Sequence, residues 1–192
     1  MATQKQRSDS TRSLLLNAFR ASLLRKGLER TTTQGVLLEI GLSKGAMYHH
    51  FRSKTEIVEA IYTEESRAAI ERAFKKAEQN QGPLVHLKSA CLAWTAEVRV
   101  PSISKILFEI GPTALGPEKA KEIENAHSLS LIEGLLESAI VEGEISKTDP
   151  KLIASYLNAL VEQTALHYLR RGEGSLDLLD RSIEAIFDSL RA

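Results

Sequence analysis

The 192-residue sequence predicts an all-α protein of about nine helices, in which a small N-terminal three-helix unit precedes a larger helical unit. Three observations support this fold class. No stretch alternates apolar and polar residues as a half-buried strand does, whereas apolar residues recur at the three- and four-residue spacing of amphipathic helices. Glycine, proline and capping residues divide the chain into segments of helical length. The hydrophobic fraction of 43% is sufficient to form a core.

Residues 31–51 predict two short helices around a tight turn at Gly41. Thr31-x-x-Gln34 has the spacing of a capping box, so we expect the first of these helices to begin there. Gly41 suits a left-handed residue at the end of that helix. Ser43 can cap the second helix. Two helices joined by a short glycine-containing turn predict a helix-turn-helix, whose second helix enters the DNA major groove.

The other helices follow from the same kinds of signal. A helix from about Ser10 to Lys26, ended by Gly27, precedes the motif. Ser53-x-x-Glu56 is a second capping box and opens a long helix. The remaining boundaries come from Gly-Pro and Asp-Pro pairs, because proline is tolerated in the first turn of a helix, and from Pro101, Ser102, Gly172 and Ser175. Together these signals predict helices over residues 53–79, 83–100, 103–110, 117–142, 150–171 and 175–190.

The charges are distributed unevenly along a chain that is neutral as a whole. Residues 1–54 contain ten basic and three acidic residues, a net charge of +7, and residues 55–192 therefore carry −7. A basic segment that coincides with a helix-turn-helix favours a polyanionic partner for that segment. The alternative is a solvated charged surface with no partner.

The last two predicted helices carry more apolar surface than one packing face requires. In the final helix, apolar residues follow a 3-4-3-4 spacing over two heptads, which is typical of a helix–helix seam. The helix before it has a broad apolar surface that includes Leu152 and Tyr156. We expect a homodimer, with ordinary intramolecular packing as the alternative. The candidate interface residues are Ile153, Leu157, Leu160, Val161, Tyr168, Leu176, Leu179, Ile183, Ile186 and Leu190.

The sequence resembles the TetR family of bacterial transcriptional regulators over roughly residues 9–69. The matching segments are Gly27-Leu28-x-x-Thr31-Thr32, residues 40–51 and Ser53-Lys54-x-x-Ile57. The resemblance implies a DNA-binding domain at 9–54, with the family module reaching about residue 69, and an effector-binding and dimerisation domain at 55–192. It also implies a homodimer built on a four-helix bundle, and a small-molecule pocket whose occupation releases DNA.

The resemblance assigns DNA contacts residue by residue. It places Thr32, Tyr48, His49 and Lys54 at phosphates, which fix position and carry little sequence information. At the start of the second helix of the motif, Lys44 can donate to guanine acceptors and Ala46 can touch a thymine methyl group. The expected DNA-contacting residues are Thr32, Ser43, Lys44, Gly45, Ala46, Tyr48, His49 and Lys54.

The expected effector pocket is less well defined by the sequence. Its candidate residues are apolar or weakly polar, which favours an uncharged or hydrophobic effector, although an ordinary core position is the first expectation for each of them. They are Leu87, Cys91, Trp94, Phe108, Ile123, His127 and Leu131.

No enzyme is predicted, because no catalytic constellation, metal-ligand spacing or cofactor motif is present. Cys91 is the only cysteine and lies in an apolar run, so we expect a buried thiol and no intrachain disulfide. No segment is long and apolar enough to span a membrane, and no secretory signal is visible. A cytoplasmic location is expected. The alternatives for function are a transcriptional activator of the same fold and a helical interaction module without a DNA role.

Overall fold

The computed structural model describes residues 3–171 and 176–191, apart from the side chains of residue 171 and residues 176–179. The predicted all-α class is confirmed: in these residues, nine helices account for the secondary structure beyond turns and one isolated bridge. Helix α6 covers residues 101–115 and is α-helical at Pro101–Ser104, π-helical at Lys105–Ile110 and α-helical again at Gly111–Leu115. The other helices are α1 Gln4–Arg30, α2 Thr33–Glu39, α3 Lys44–Tyr48, α4 Lys54–Lys76, α5 Pro83–Glu97, α7 Pro117–Val141, α8 Pro150–Arg171 and α9 Leu176–Leu190.

Helix α1 is longer than its sequence pattern indicated. It begins at Gln4 because Thr3 and Gln6 form a capping box. The Gln6 amide donates to the Thr3 hydroxyl at 3.2 Å, and the Thr3 amide donates to the Gln6 side chain at 2.8 Å. Gly27, the predicted stop, interrupts the helix with φ 79° and ψ 175°, a conformation that glycine adopts without steric cost. A short helical turn then continues to Arg30.

The predicted cap of α2 is wrong by one residue. Thr32 is the N-cap, and its hydroxyl accepts from the Gly35 amide at 3.2 Å. Thr31 is instead 1% exposed, and its hydroxyl donates to the Gly27 carbonyl oxygen at 2.8 Å. Burial of Thr31 against the end of α1 therefore removes it from the capping position.

The chain forms two compact units. The first comprises residues 3–65 and 105–120, so it contains the helix-turn-helix together with most of α6. Its core is apolar and includes side chains from α1 to α4 and from α6. The buried members are Leu15, Leu16, Phe19, Leu23, Val36, Leu37, Met47, Phe51, Ile57, Val58, Ile61, Tyr62, Ile106, Leu107 and Ile110.

The second compact unit comprises, of the described residues, 66–104, 121–171 and 176–191. A hydrophobic cluster in this unit joins α5, α7, α8 and α9. The members are Leu84, Leu87, Cys91, Ile132, Leu136, Ala139, Ile145, Ala154, Leu157, Val161, Ile183 and Phe187. Across the described residues, no helix combines the length and hydropathy needed to cross a bilayer. Gly172 and Ser175, expected to end one helix and start the next, lie outside the described residues.

Candidate nucleic-acid interface

The turn between α2 and α3 has the predicted geometry. Gly41 has φ 66°, in the left-handed region, and the Leu42 amide donates to the Leu37 carbonyl oxygen at 3.0 Å. The Ser43 hydroxyl then accepts from the Ala46 amide at 3.1 Å and caps α3, as predicted. These bonds satisfy backbone groups on both sides of the turn, so the direction of α3 is fixed by local geometry.

Helix α3 divides its residues between the core and the surface. Met47 is 1% exposed, and its side chain packs in the core of the first unit. Ser43, Lys44 and Gly45 are exposed, and Tyr48 is 57% exposed. Within the described part of the chain, the Lys44 ammonium makes no ion pair, so its three donors are available. The exposed face therefore combines a lysine, a tyrosine hydroxyl and small residues that permit close approach.

The remaining predicted contacts differ in their exposure and hydrogen bonding. Ala46 is partly buried beside the cap, and His49 is exposed after the end of α3. The rings of His49 and His50 meet edge to face, with centroids 5.2 Å apart. Thr32 is exposed at the start of α2, where its hydroxyl accepts one bond and keeps a proton to donate.

Lys54 has a partner within the protein that the sequence did not reveal. Its ammonium donates to the Leu28 carbonyl oxygen, near the end of α1. Partial burial lowers the pKa of Lys54, because desolvation disfavours the charged form. One donor is thus committed within the protein, and the ammonium has two more for an external acceptor.

Part of the positive charge of the N-terminal segment is neutralised internally. Arg12 pairs with Glu64 at 3.1 Å and stacks on the Phe51 ring at 5.3 Å. Arg20 pairs with Glu64 at 3.6 Å and also with Glu65. The net charge counted from the sequence therefore overstates the positive charge that this segment can offer to a polyanion.

Glu39 neutralises further cations at the end of α2. It accepts from Lys26 at 2.7 Å and from Arg25 at 3.2 Å. The Lys26 hydrogen bond and charge, with a smaller contribution from Arg25, lower the pKa of Glu39. These exposed pairs are expected to add little stability.

The candidate pocket residues are not equivalent in their surroundings. Leu87 and Cys91 belong to the hydrophobic cluster of the second unit, and Trp94 packs against it. Burial raises the pKa of the Cys91 thiol to about 12, so this thiol stays protonated and unreactive near neutral pH. Ile123 is buried, His127 is partly buried and Leu131 is 42% exposed. Phe108 lies in the first unit, where it is partly buried.

Six of the ten candidate interface residues belong to the hydrophobic cluster of the second unit or pack against it. Leu157, Val161 and Ile183 are buried in the cluster of the second unit, and Ile153, Ile186 and Leu190 pack against it. Their side chains therefore contribute to the chain's own core. Tyr168 is partly buried, and the Arg99 guanidinium carbon lies over its ring, 5.2 Å from the ring centroid. The side chains of Leu176 and Leu179 lie outside the described residues.

A second face of α8 is exposed and apolar. Leu152, Tyr156 and Leu160 recur every fourth residue, and they are 48%, 61% and 38% exposed. Residues four apart lie on one face of a helix, so these side chains form a continuous strip. We call this strip the α8 surface. Leu160 is the one predicted interface residue that belongs to it.

Two family models match the chain. The model described as "Bacterial regulatory proteins, tetR family" matches residues 15–61. The model described as "Tetracyclin repressor-like, C-terminal domain" matches residues 85–190, which is more than half of the chain. The first match contains α2, α3 and their turn, and the second contains α7, α8 and α9.

Similar proteins have been named for DNA-related functions. The HTH-type transcriptional repressor BepR of Brucella suis is 27% identical over 206 aligned residues, which cover 100% of this chain and 97% of that protein. The nucleoid occlusion factor SlmA of Haemophilus influenzae is 23% identical over 175 residues, which cover 88% of this chain and 78% of that protein.

Solved structures share the fold. A TetR-family transcriptional regulator from Pectobacterium atrosepticum superposes with a TM-score of 0.81 at 21% identity, covering 100% of this chain and 98% of that one. A TetR-family transcriptional regulator from Agrobacterium tumefaciens gives a TM-score of 0.67 at 17% identity, covering 96% and 100%. At these identities the likeness concerns the fold alone.

Proposed function

Because this chain belongs to the TetR family of bacterial regulatory proteins, and is thus a DNA-binding transcriptional regulator and not an enzyme, we propose that it is a ligand-responsive repressor that binds a pseudo-palindromic operator as a homodimer. The whole-length similarity to BepR, which is named a repressor, supports the direction of regulation. A cytoplasmic location follows from the proposed access to chromosomal DNA.

The observation that carries the proposal is the surface of α3. A helix anchored by Met47 and capped by Ser43 presents Lys44 outward beside the small residues Gly45 and Ala46. In the major groove, Lys44 donates to guanine O6 or N7, and the Ala46 methyl group meets a thymine methyl group. Gly45 permits the backbone to approach the bases.

Phosphate contacts on both sides of the groove fix the position of α3. Thr32 donates from the start of α2, Tyr48 and His49 donate from the end of α3, and Lys54 supplies a positive charge from the start of α4. These contacts do not depend on the base sequence of the DNA. They make binding depend on salt, because each neutralised phosphate releases counterions.

The proposed dimer places two copies of α3 in successive major grooves. A symmetric dimer requires half-sites about one helical turn apart, on the order of 34 Å, or somewhat more. The α8 surface supports this assembly, since an exposed apolar strip loses contact with water when two copies meet. We propose that Leu152, Tyr156 and Leu160 lie at the dimer interface.

The proposed effector is a small uncharged or hydrophobic molecule that binds among the helices of the C-terminal domain. It releases DNA only if it binds the DNA-incompetent arrangement more tightly than the competent one. The coupling is reciprocal and is expected to be on the order of 1–3 kcal/mol. Trp94, the only tryptophan, packs partly buried beside the apolar cluster and is the natural fluorescent reporter for this event.

The proposal can be tested by selecting genomic fragments with the purified protein and then transcribing an enriched fragment in vitro. A repressor lowers the transcript from its own operator and leaves a promoter with a scrambled operator unchanged. An increase in the transcript would establish the activator alternative. Recovery of no preferred sequence would favour an interaction module without a DNA role.

A further inference from the structure

The break in α1 at Gly27 creates a need for hydrogen-bond donors. Carbonyl oxygens in the last turn of a helix have no intrahelical amide partner, so they bond to side chains, water or other groups. At Gly27 the backbone leaves the helical region, with ψ 175°. The carbonyl groups beside this break belong to the segment that leads directly into α2.

Side chains from three different parts of the first unit meet these carbonyl oxygens. The Thr31 hydroxyl donates to Gly27 at 2.8 Å, and the Lys54 ammonium donates to Leu28. The Lys105 ammonium donates to Leu24 at 3.0 Å. The Lys105 ammonium therefore sits at the end of the first part of α1, where the helix dipole favours cations, and the Lys54 ammonium lies just beyond the break.

Lys105 reaches this position from a constrained segment. It begins the π-helical turn Lys105–Ile110, whose Ile106 and Ile110 are each 2% exposed. At the end of that turn, Gly111 lies against the Tyr62 ring so closely that an added Cβ would be 2.1 Å from a ring carbon. The backbone that carries Lys105 is thus packed tightly on α4 within the same unit.

We propose that Lys105 is a positioning residue for DNA binding, although it lies more than forty residues beyond the match to the N-terminal family model. By holding the Leu24 carbonyl, it fixes the end of α1, and hence the approach to Thr32 at the start of α2. Lys54 holds the Leu28 carbonyl, beyond the break at Gly27, and is also the proposed phosphate contact. This role rests on the proposed function.

Salt dependence separates a positioning lysine from one that touches phosphate. Lys105→Met keeps most of the length of the side chain and removes its charge. It is expected to lower operator affinity roughly three- to tenfold, with the same slope of log affinity against log salt as the wild type. Lys54→Met is expected to lower affinity and also to reduce that slope by roughly one unit. Lys105→Arg, which restores a cationic donor, should recover most of the affinity.

The experiment uses the full chain, operator DNA and fluorescence anisotropy at four salt concentrations. Lys147→Met, at an exposed position outside the first unit, is the matched control and should bind like the wild type. Hydrogen exchange without DNA gives a second readout, in which Lys105→Met accelerates exchange near residues 24–32.

Two results would overturn the positioning role. A reduced salt slope for Lys105→Met would mean that Lys105 itself contacts phosphate. Unchanged affinity together with unchanged exchange would mean that the Leu24 contact is dispensable. If the wild type and all variants alike fail to bind selected DNA, the proposed function fails and the role of Lys105 in binding fails with it.

Discussion

The ammonium group of Lys54, in the first turn of α4, donates a hydrogen bond to the carbonyl oxygen of Leu28, near the end of α1. One side chain thereby joins the helix that follows the helix-turn-helix to the helix that precedes it. Burial lowers the pKa of Lys54. Its side chain is thus partly buried and hydrogen-bonded within the protein. A phosphate bound there would meet a cation that is already ordered, which reduces the entropy lost on binding.

Lys44→Ala should change which sequences are bound. Removal of its donors is expected to relax preference at one position in each half-site, at a cost of about 1–3 kcal/mol for the preferred base. The measurement is competition between the operator and duplexes with single-base changes. A uniform loss of affinity for every duplex would instead identify Lys44 as a phosphate contact, and Lys147→Ala controls for the loss of one surface charge.

Gly111→Ala and Gly134→Ala should shift thermal stability in opposite directions. At Gly111 the new methyl group would overlap the Tyr62 ring, and overpacking of this kind costs about 1–3 kcal/mol or more. At Gly134, within α7, a Cβ meets nothing within 4 Å, so higher helix propensity should add up to about 1 kcal/mol. Thermal unfolding of both variants checks the pair. A stable Gly111→Ala protein would show that α6 is loosely packed on α4.

Glu97 should make stability depend on acid pH. Its side chain is 7% exposed and accepts from Arg72 at 2.6 Å and from Lys76. Burial alone would raise the pKa of Glu97, but the hydrogen bonds from Lys76 and Arg72 outweigh that effect and lower the pKa below its ordinary value of 4.5.

The pairing of Glu97 therefore stabilises the fold above about pH 4.5 and is lost as the pH falls through the lower pKa of the folded state. Glu97→Gln should cost about 1–3 kcal/mol at pH 7, and less in acid. Urea unfolding at pH 7 and at pH 3 measures the difference. An equal cost at both values would contradict an ionic role for Glu97.

Leu160→Glu should weaken the proposed dimer and leave the fold intact. Leu160 is 38% exposed, so a carboxylate there is solvated in the isolated chain and becomes desolvated when two copies meet. Light scattering at micromolar concentration should detect monomers. Val141→Glu, at a site that is 86% exposed and is not part of the α8 surface, should leave the mass unchanged. A wild-type protein that is monomeric in this measurement would contradict the proposed dimer and its α8 interface.

The sequence sufficed for features that depend on neighbouring residues. The turn at Gly41, the cap at Ser43 and the all-α class follow from local backbone rules and helical periodicity, and the structure has all three. The cap of α2 was misplaced because residues 31–33 are all threonine and give the same local signal. Only the burial of Thr31 against Gly27 distinguishes it from Thr32, and burial depends on the tertiary fold.

Longer-range relationships could not be read from the sequence. Lys105 and Leu24 are 81 residues apart, and no periodicity or spacing connects them. The heptad pattern around Ile183 correctly predicts an apolar helix face. It does not reveal whether that face packs within its own chain or against a second copy. Ile183 is 1% exposed and packs in the cluster of its own unit. The charge count likewise missed the pairing of Arg20 with Glu64 and Glu65.

The most direct measurement is the affinity of the wild-type protein for a selected operator and for a scrambled duplex of the same length and composition, across a range of salt concentrations. We expect tighter binding to the operator by several kcal/mol, roughly a thousandfold or more, and loss of affinity for both duplexes as salt increases. Insertion of about five base pairs between the half-sites should abolish most of the preference, since it turns one half-site to the opposite side of the helix. Equal affinity for the operator and the scrambled duplex at every salt concentration would contradict sequence-specific regulation by this chain.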